Sequence, residues 1–555
     1  MAPRPFLRET VRHGAAPAAL VLLLTTALAG AGLALPWALG RTLDLLLGED
    51  RSAAGPWLAL CAALTGATVL LGALDGLVTA TATARTTAWI RARVLGHVLA
   101  AGPRTTIAEG DLVARLVGNA AQAGPVPATL AATLAGVLTP VGGLVALALT
   151  DGWTALALLA GMPVLALLLK VFVRRSGDVG TAYLRAQGEI AGRLTEAVEG
   201  ARTIAAAGTA ERDAARILAP LPELSRQGYR MWRVTGRSTA QASALLPLLQ
   251  LLVLAVAGLR LADGALSVGG MLAAWRYAVL ATATGTLVGQ LNGLVRGRAA
   301  ADRLAEALAP PALAYGTRQL PDGPGSLEFR GVRTGPLDDI DLYIPGGSVA
   351  AVVGRSGSGK SALAAVAGRL TDPDQGTVLL DGVPLPELSR QHLRREVGHA
   401  FARPALLGAT IGGTIAFGVD EPDPARITAA ARAACADDFV RRLPLGYDTP
   451  CEQAPMSGGE AQRLGLARAF AHCGRLLILD DATSSLDSAT ELKVSRALLD
   501  ELTPGTRLIV AHRVTTAARA DLVIWLDGGG VRALAPHTEL WRLPEYRAVF
   551  AGEAA

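Results

Sequence analysis

The sequence predicts two bodies of different kinds in one chain: an α-helical membrane domain of six spans, followed by an α/β domain built on a parallel sheet. Three observations carry this. Six apolar stretches occupy the first 300 of 555 residues. Arginines gather between alternate stretches, as they do in multi-pass membrane proteins. After residue 300, short apolar runs alternate with helical segments, and one run leads into a glycine-rich loop holding a rare lysine, Lys360. Hydrophobic residues make up 51% and charged residues 18%, with mean hydropathy +0.37. That is too apolar for an ordinary soluble protein of this length.

The apolar stretches cover about 16–40, 56–80, 127–150, 153–173, 238–260 and 268–294, each near the roughly 20 residues a membrane helix needs. Arg4, Arg8 and Arg12 ahead of the first give it the look of a secretory leader. Its length, and the spans behind it, favour a retained first helix. The loops after the second and fourth spans are long and carry Arg85, Arg91, Arg93, Arg104 and Arg115, then Lys170, Arg174, Arg175, Arg185, Arg193 and Arg202. Positive charge flanking spans marks the cytoplasmic side, so both termini are expected there, with the helices running on as a stalk. Positive-inside loops also account for the formal charge of +5, and nucleic acid is not expected as a partner. Cys61, Cys435, Cys451 and Cys473 form no CxxC pair, and they read as small core or membrane residues. Asp75 and Arg276 fall at membrane depth; each faces either a cavity or an ordinary polar contact.

Pro310-Pro311 and Asp322-Gly323-Pro324-Gly325 mark a linker. The expected divisions are 1–308 for the membrane domain, 309–325 for the linker and 326–555 for the second domain. There, Val349–Val353, Leu476–Leu479 and Leu508–Ala511 are continuous apolar runs, the pattern of strands buried on both faces.

The first of these runs ends in Gly354-Arg355-Ser356-Gly357-Ser358-Gly359-Lys360-Ser361, a P-loop. Glycines let backbone N–H groups approach phosphate, Lys360 reaches the β/γ-phosphates, and the Ser361 hydroxyl suits Mg²⁺. The expected ligands are therefore ATP and Mg²⁺. About 120 residues on, Asp480 and Asp481 close the second run, at the strand end where α/β sheets place ligands. Asp480 suits the metal, and Asp481 suits orienting the attacking water.

Met456-Ser457-Gly458-Gly459-Glu460-Ala461-Gln462-Arg463 lies between these two motifs. It resembles the LSGGQ signature of the ABC family. Ser484-Ser485-Leu486-Asp487 resembles that family's D-loop, and His512 its switch histidine. The resemblance implies a P-loop NTPase domain of the ABC ATPase type over 327–550, with Asp481 and His512 in catalytic roles. It also implies that Ser457, Gly458, Gly459 and Glu460 meet the nucleotide of a second subunit. Glu109–Leu116 and Glu196–Ile204 resemble the intracellular loops of ABC exporters, whose short coupling helices dock on nucleotide-binding domains. The whole chain thus resembles a half-transporter of the exporter type, whose substrate is a small molecule, lipid or peptide.

Three departures from the family fall on this chain's own ATP side. Ala402 stands where the family has Gln, Asp481 where it has Glu, and Phe329–Leu337 runs directly into Asp338-Asp339-Ile340 with no tyrosine-containing stretch between them to stack on adenine. The segment before the signature, Cys451–Pro455, is also short. The signature itself is intact. The pattern resembles the degenerate-site subunit of a heterodimer in a plasma (inner) membrane. Inward transport of the siderophore type, or a non-transporting ATP-binding regulator, are the alternatives the motifs leave open.

Overall fold

The computed structural model describes the backbone of residues 3–48, 51–102, 107, 109–283, 285–419, 422–472, 474–500 and 505–551; the side chains of 164–185 and a few scattered positions, with Arg104 and Cys473, lie outside the description. The chain divides into two units, Met1–Leu95 with Ile107–Ala309, and Gly96–Thr106 with Pro310–Ala555.

The first unit is all helix. Among the described residues, five helical stretches are long and apolar enough to cross a membrane: Ala15–Leu47, Arg51–Ala101, Gly110–Thr150, Ala244–Ala262 and Val268–Ala307. The expected fourth span begins in the apolar segment Gly152–Pro163 and continues through side chains outside the description. Helices Ala54–Ala101 and Gly152–Glu199 each have 48 residues, and Leu221–Ala262 has 42. At 1.5 Å per residue the longer two reach about 70 Å, more than twice a bilayer's roughly 30 Å apolar core. Two expected spans are interrupted. The third breaks at Val137, between Val126–Gly136 and Leu138–Thr150, and the last breaks after Ala281, before Gly285–Ala307.

Polar residues fasten the helix ends. Asp151 Oδ1 accepts from the N–H groups of Trp153 and Thr154, both at 3.0 Å, and so starts the helix that follows the tight turn. Its other oxygen pairs with Arg260 at 3.0 Å. Asp44 Oδ1 accepts from Gly269 N–H at 2.8 Å, and Asp44 Oδ2 from Ser267 Oγ at 2.7 Å. The first and last apolar helices meet there so closely that a Cβ on Gly269 would sit 1.9 Å from the Gly40 carbonyl oxygen. Arg115, which is buried, pairs with Asp111 and with Glu306 on the Gly285–Ala307 helix, both at 2.8 Å.

In the second unit, β1 (Leu327–Thr334), β2 (Leu337–Ile344), β4 (Gln375–Leu380) and β5 (Val383–Pro384) form an antiparallel sheet in the order β2-β1-β4-β5. A six-stranded sheet has the order β10-β9-β3-β8-β7-β6, with β3 (Val349–Val353), β6 (Val397–Phe401), β7 (Leu476–Asp480), β8 (Thr506–Val510), β9 (Leu522–Asp527) and β10 (Gly530–Ala535). Neighbours run parallel from β9 to β6, and only β10 is antiparallel. β3 is buried at every position and β7 at four of five, which is why both read as unbroken apolar runs. β8 lies between β3 and β7, so the three carboxyl ends open on one edge.

Candidate nucleotide-binding site

The P-loop leaves the end of β3 and starts the Lys360–Ala367 helix. Its path requires glycine. Gly359 has φ +100, and a Cβ there would lie 2.6 Å from Leu337 Cδ2. A Cβ on Gly354 would lie 2.4 Å from the Leu526 carbonyl and 2.5 Å from Ser358 Oγ. Lys360, which is buried, donates to the carbonyls of Gly354 at 2.7 Å and Arg355 at 3.1 Å, so its ammonium lies against the loop itself. Ser358 Oγ is buried with no hydrogen-bond partner. Arg355, Ser356 and Gly357 are exposed on the rim. A glycine-walled loop with a captive ammonium and an unsatisfied hydroxyl fits the phosphates of a nucleotide.

Ser361 Oγ donates to Asp480 Oδ1 at 2.9 Å. This brings together a hydroxyl and a carboxylate, the hard oxygen donors Mg²⁺ prefers. Burial pushes the Asp480 carboxyl up from its usual range, the Ser361 hydrogen bond opposes that, and neighbouring Asp481 adds a like charge. Asp481 stands in the left-handed region at φ 54, and its Oδ1 lies 3.0 Å from His512 Nε2. The P-loop, the acidic pair and His512 are thus one site, assembled from the ends of β3, β7 and β8. Ala402 follows β6 and has no side-chain oxygen to bring to it. The β1–β2 hairpin turns at Gly335-Pro336, and its Leu337 side chain rather than an aromatic ring faces Gly359.

The signature residues stand apart. Ser457 caps the Gly458–Ala471 helix through a capping box: its hydroxyl accepts from Glu460 N–H at 3.3 Å, and Glu460 Oε2 accepts from Ser457 N–H and Oγ, both at 2.8 Å. The Ser457 N–H holds the Glu460 carboxyl below its usual range. Among the described residues, no hydrogen bond or ion pair joins Ser457–Glu460 to the P-loop.

What joins the signature helix to the Ala402 and Asp481 edge is Gln462, a residue to which sequence reasoning gave no role. It is 1% exposed. Its Nε2 lies 3.1 Å from the Ala402 carbonyl, 3.3 Å from the Asp481 carbonyl and 3.2 Å from Ser484 Oγ, while its Oε1 accepts from Ser485 N–H at 2.9 Å. The signal was a polar residue on the buried stripe with Leu466 and Ala469, at i+4 and i+7.

The family model described as "ABC transporter" matches residues 337–484, and "ABC transporter transmembrane region" matches 19–283. The ABC transporter ATP-binding protein RamA of Streptomyces coelicolor is 53% identical over 97% of this chain and 85% of that protein. The multidrug efflux ATP-binding/permease protein Rv0194 of Mycobacterium tuberculosis is 35% identical over 64% of this chain and 31% of its own length. An ATP-dependent lipid A-core flippase of Alkalilimnicola ehrlichii is 36% identical over 56% and 55% of the two chains. The solved structure of a bacterial Atm1-family ABC exporter with ATP bound shares the fold, with TM-score 0.81 over 98% of this chain and 99% of that one at 23% identity. The chain therefore belongs to the ABC transporter family, as a multi-pass half-transporter whose membrane region is fused to an ATPase domain coupled to transport.

Proposed function

We propose that this chain is one half of a heterodimeric exporter of the plasma membrane, with six spans and a cytoplasmic ATPase domain, and that its own P-loop forms the slower of two ATP sites. The division into 1–308, 309–325 and 326–555 follows from this reading. The observation that carries it is the arrangement at the end of β7. Asp481 is a short carboxylate engaged by His512 at 3.0 Å, and beside it Ala402 offers only a backbone carbonyl, which is already bonded to Gln462. A water-positioning group must lie within hydrogen-bond reach of its target, and here one side chain is shortened and the other removed.

ATP would lie on Gly354, Arg355, Ser356, Gly357, Ser358, Gly359 and Lys360, with Ser361 and Asp480 holding Mg²⁺. When bound, Mg²⁺ supplies charge neutralisation on the β/γ-phosphates. His512 keeps the Asp481 carboxylate oriented. Ser457, Gly458 and Gly459 present helix N-terminal N–H groups, and Ser457 a hydroxyl, to the partner's nucleotide; Glu460 must release Ser457 for this to occur. Gln462 holds the signature helix in register with Ala402 and Asp481. The multidrug efflux and lipid flippase names among its relatives agree with an amphiphilic substrate.

The test is ATPase activity of the chain purified alone, against the complex obtained by co-purifying its native partner. Turnover should be low alone and rise at least tenfold in the complex. Equal turnover in the two would overturn the heterodimer.

A further inference from the structure

We propose that Arg276 and a small cavity beside it, between the first and last apolar helices, form a binding site for the acidic headgroup of an amphiphile. The cavity measures about 200 Å³ and is lined by Gly32, Leu35, Pro36, Arg276, Val279 and Leu280. Five of these offer apolar or backbone surface, and one offers a guanidinium.

The helices shape this cavity by local chemistry. Pro36 stands inside the Ala15–Leu47 helix and has no N–H for the carbonyl of Gly32. Gly32 itself leaves room, since a Cβ there would meet nothing within 4 Å. The walls are fixed by close contacts nearby. Tyr277 Oη donates to the Leu33 carbonyl at 3.1 Å, and Gly40 and Gly269 meet backbone to backbone.

Arg276 lies eight residues into the Val268–Ala281 helix, about 12 Å along its axis. That depth falls within a roughly 30 Å apolar core. A charge at such depth ordinarily has a partner, and several other charges of this domain do. Asp75 accepts from Thr25 Oγ1 at 3.0 Å, Asp151 pairs with Arg260, and Asp44 caps Gly269. Arg276 is exposed, and no hydrogen bond or ion pair to it occurs among the described residues. The ring of the adjacent Trp275 lies 6.0 Å from the guanidinium carbon, at the outer limit of a cation–π interaction. A guanidinium takes a carboxylate, sulfate or phosphate through paired N–H groups, and the aliphatic walls suit the start of a hydrocarbon chain. The volume admits a headgroup and not a whole lipid, so the rest of the amphiphile would lie along the apolar helix surface.

The use made of the site rests on the transporter reading above; the binding itself does not. The test uses the full chain in phosphatidylcholine nanodiscs and the fluorescent acid 11-(dansylamino)undecanoic acid, compared with its methyl ester. The acid should bind at least tenfold more tightly than the ester. Arg276→Gln should bring the acid down to the ester's affinity, while Arg276→Lys should keep it within about threefold of the wild-type protein. Gly32→Leu, which leaves Arg276 in place and fills the cavity, should weaken both probes. Equal binding of acid and ester by the wild-type protein, or unchanged binding of the acid by Arg276→Gln, would overturn the proposal. A second arm separates a transported amphiphile from a resident lipid: in the complex with the native partner, ATP with vanadate should release the first and leave the second bound. A chain that proves fully active as a homodimer would sink the heterodimer without altering these binding results.

Discussion

Replacing Asp481 by Glu and Ala402 by Gln together should speed hydrolysis at this chain's own site by up to about a hundredfold. The magnitude follows from reach. Asp481 Oδ1 is engaged by His512 at 3.0 Å, from a backbone held at φ 54. A glutamate adds one carbon–carbon bond, roughly 1.5 Å, and a displacement of about 1 Å in a reacting geometry costs about a hundredfold, or about 2.7 kcal/mol of barrier. Gln at 402 restores a side-chain amide on the loop after β6, where now only the backbone carbonyl is engaged. The gain should be partial, because the Gly335-Pro336 hairpin still offers no aromatic ring for adenine. The assay is single-turnover ATP hydrolysis by the complex, with the partner's own catalytic acid neutralised so that only this site reports. A double variant that binds ATP and stays as slow as its parent would refute the reach argument.

Two further outcomes follow from the signature helix. Gln462→Leu leaves two carbonyls, a hydroxyl and an N–H without their side-chain partner, at about 1–3 kcal/mol for each one left unsatisfied. In the complex, kcat should fall at least tenfold while KM for ATP stays within about threefold, and an unchanged kcat would remove Gln462 from the coupling. Glu460 is held below its usual range in the folded protein, so its ionised cap stabilises above the unfolded value of about 4.3 and is lost as pH falls through the lower folded value. The helix dipole makes such a charge worth about 0.5 kcal/mol. The melting temperature of the wild-type complex should therefore exceed that of Glu460→Gln at pH 6, and the difference should begin to shrink as pH falls below about 4.3 and vanish only beneath the lower folded value. A difference that grew on acidification would contradict the capping role.

Much of the candidate site's arrangement was legible in the sequence because its residues sit at the ends of strands. The apolar runs that became β3, β7 and β8 are buried on both faces, and Lys360, Asp480 and His512 follow from where those strands end. The membrane helices were legible by length and composition. The break at Val137 was signalled by Pro140, which has no N–H for the Gly136 carbonyl, a cue the sequence reading did not use, whereas the one after Ala281 lies among small residues. Contacts across long sequence distances were also invisible. Asp151 meets Arg260 from 109 positions away, and Gln462 meets Ala402 from 60. Arg115 read as a positive charge within a loop-like motif, yet it is buried against Asp111 and Glu306. Asp481 and His512 were assigned separate duties by motif, and only the folded chain puts them 3.0 Å apart.

The asymmetry of the two ATP sites is the central claim, and the steady-state ATPase activity of two single variants in the native complex tests it most directly. On the proposed reading, Ser457→Ala removes a hydroxyl that serves the partner's nucleotide, whereas Asp481→Asn touches only this chain's own site. The account predicts that Ser457→Ala abolishes most turnover and that Asp481→Asn leaves at least half of it. Equal losses from the two variants would contradict it.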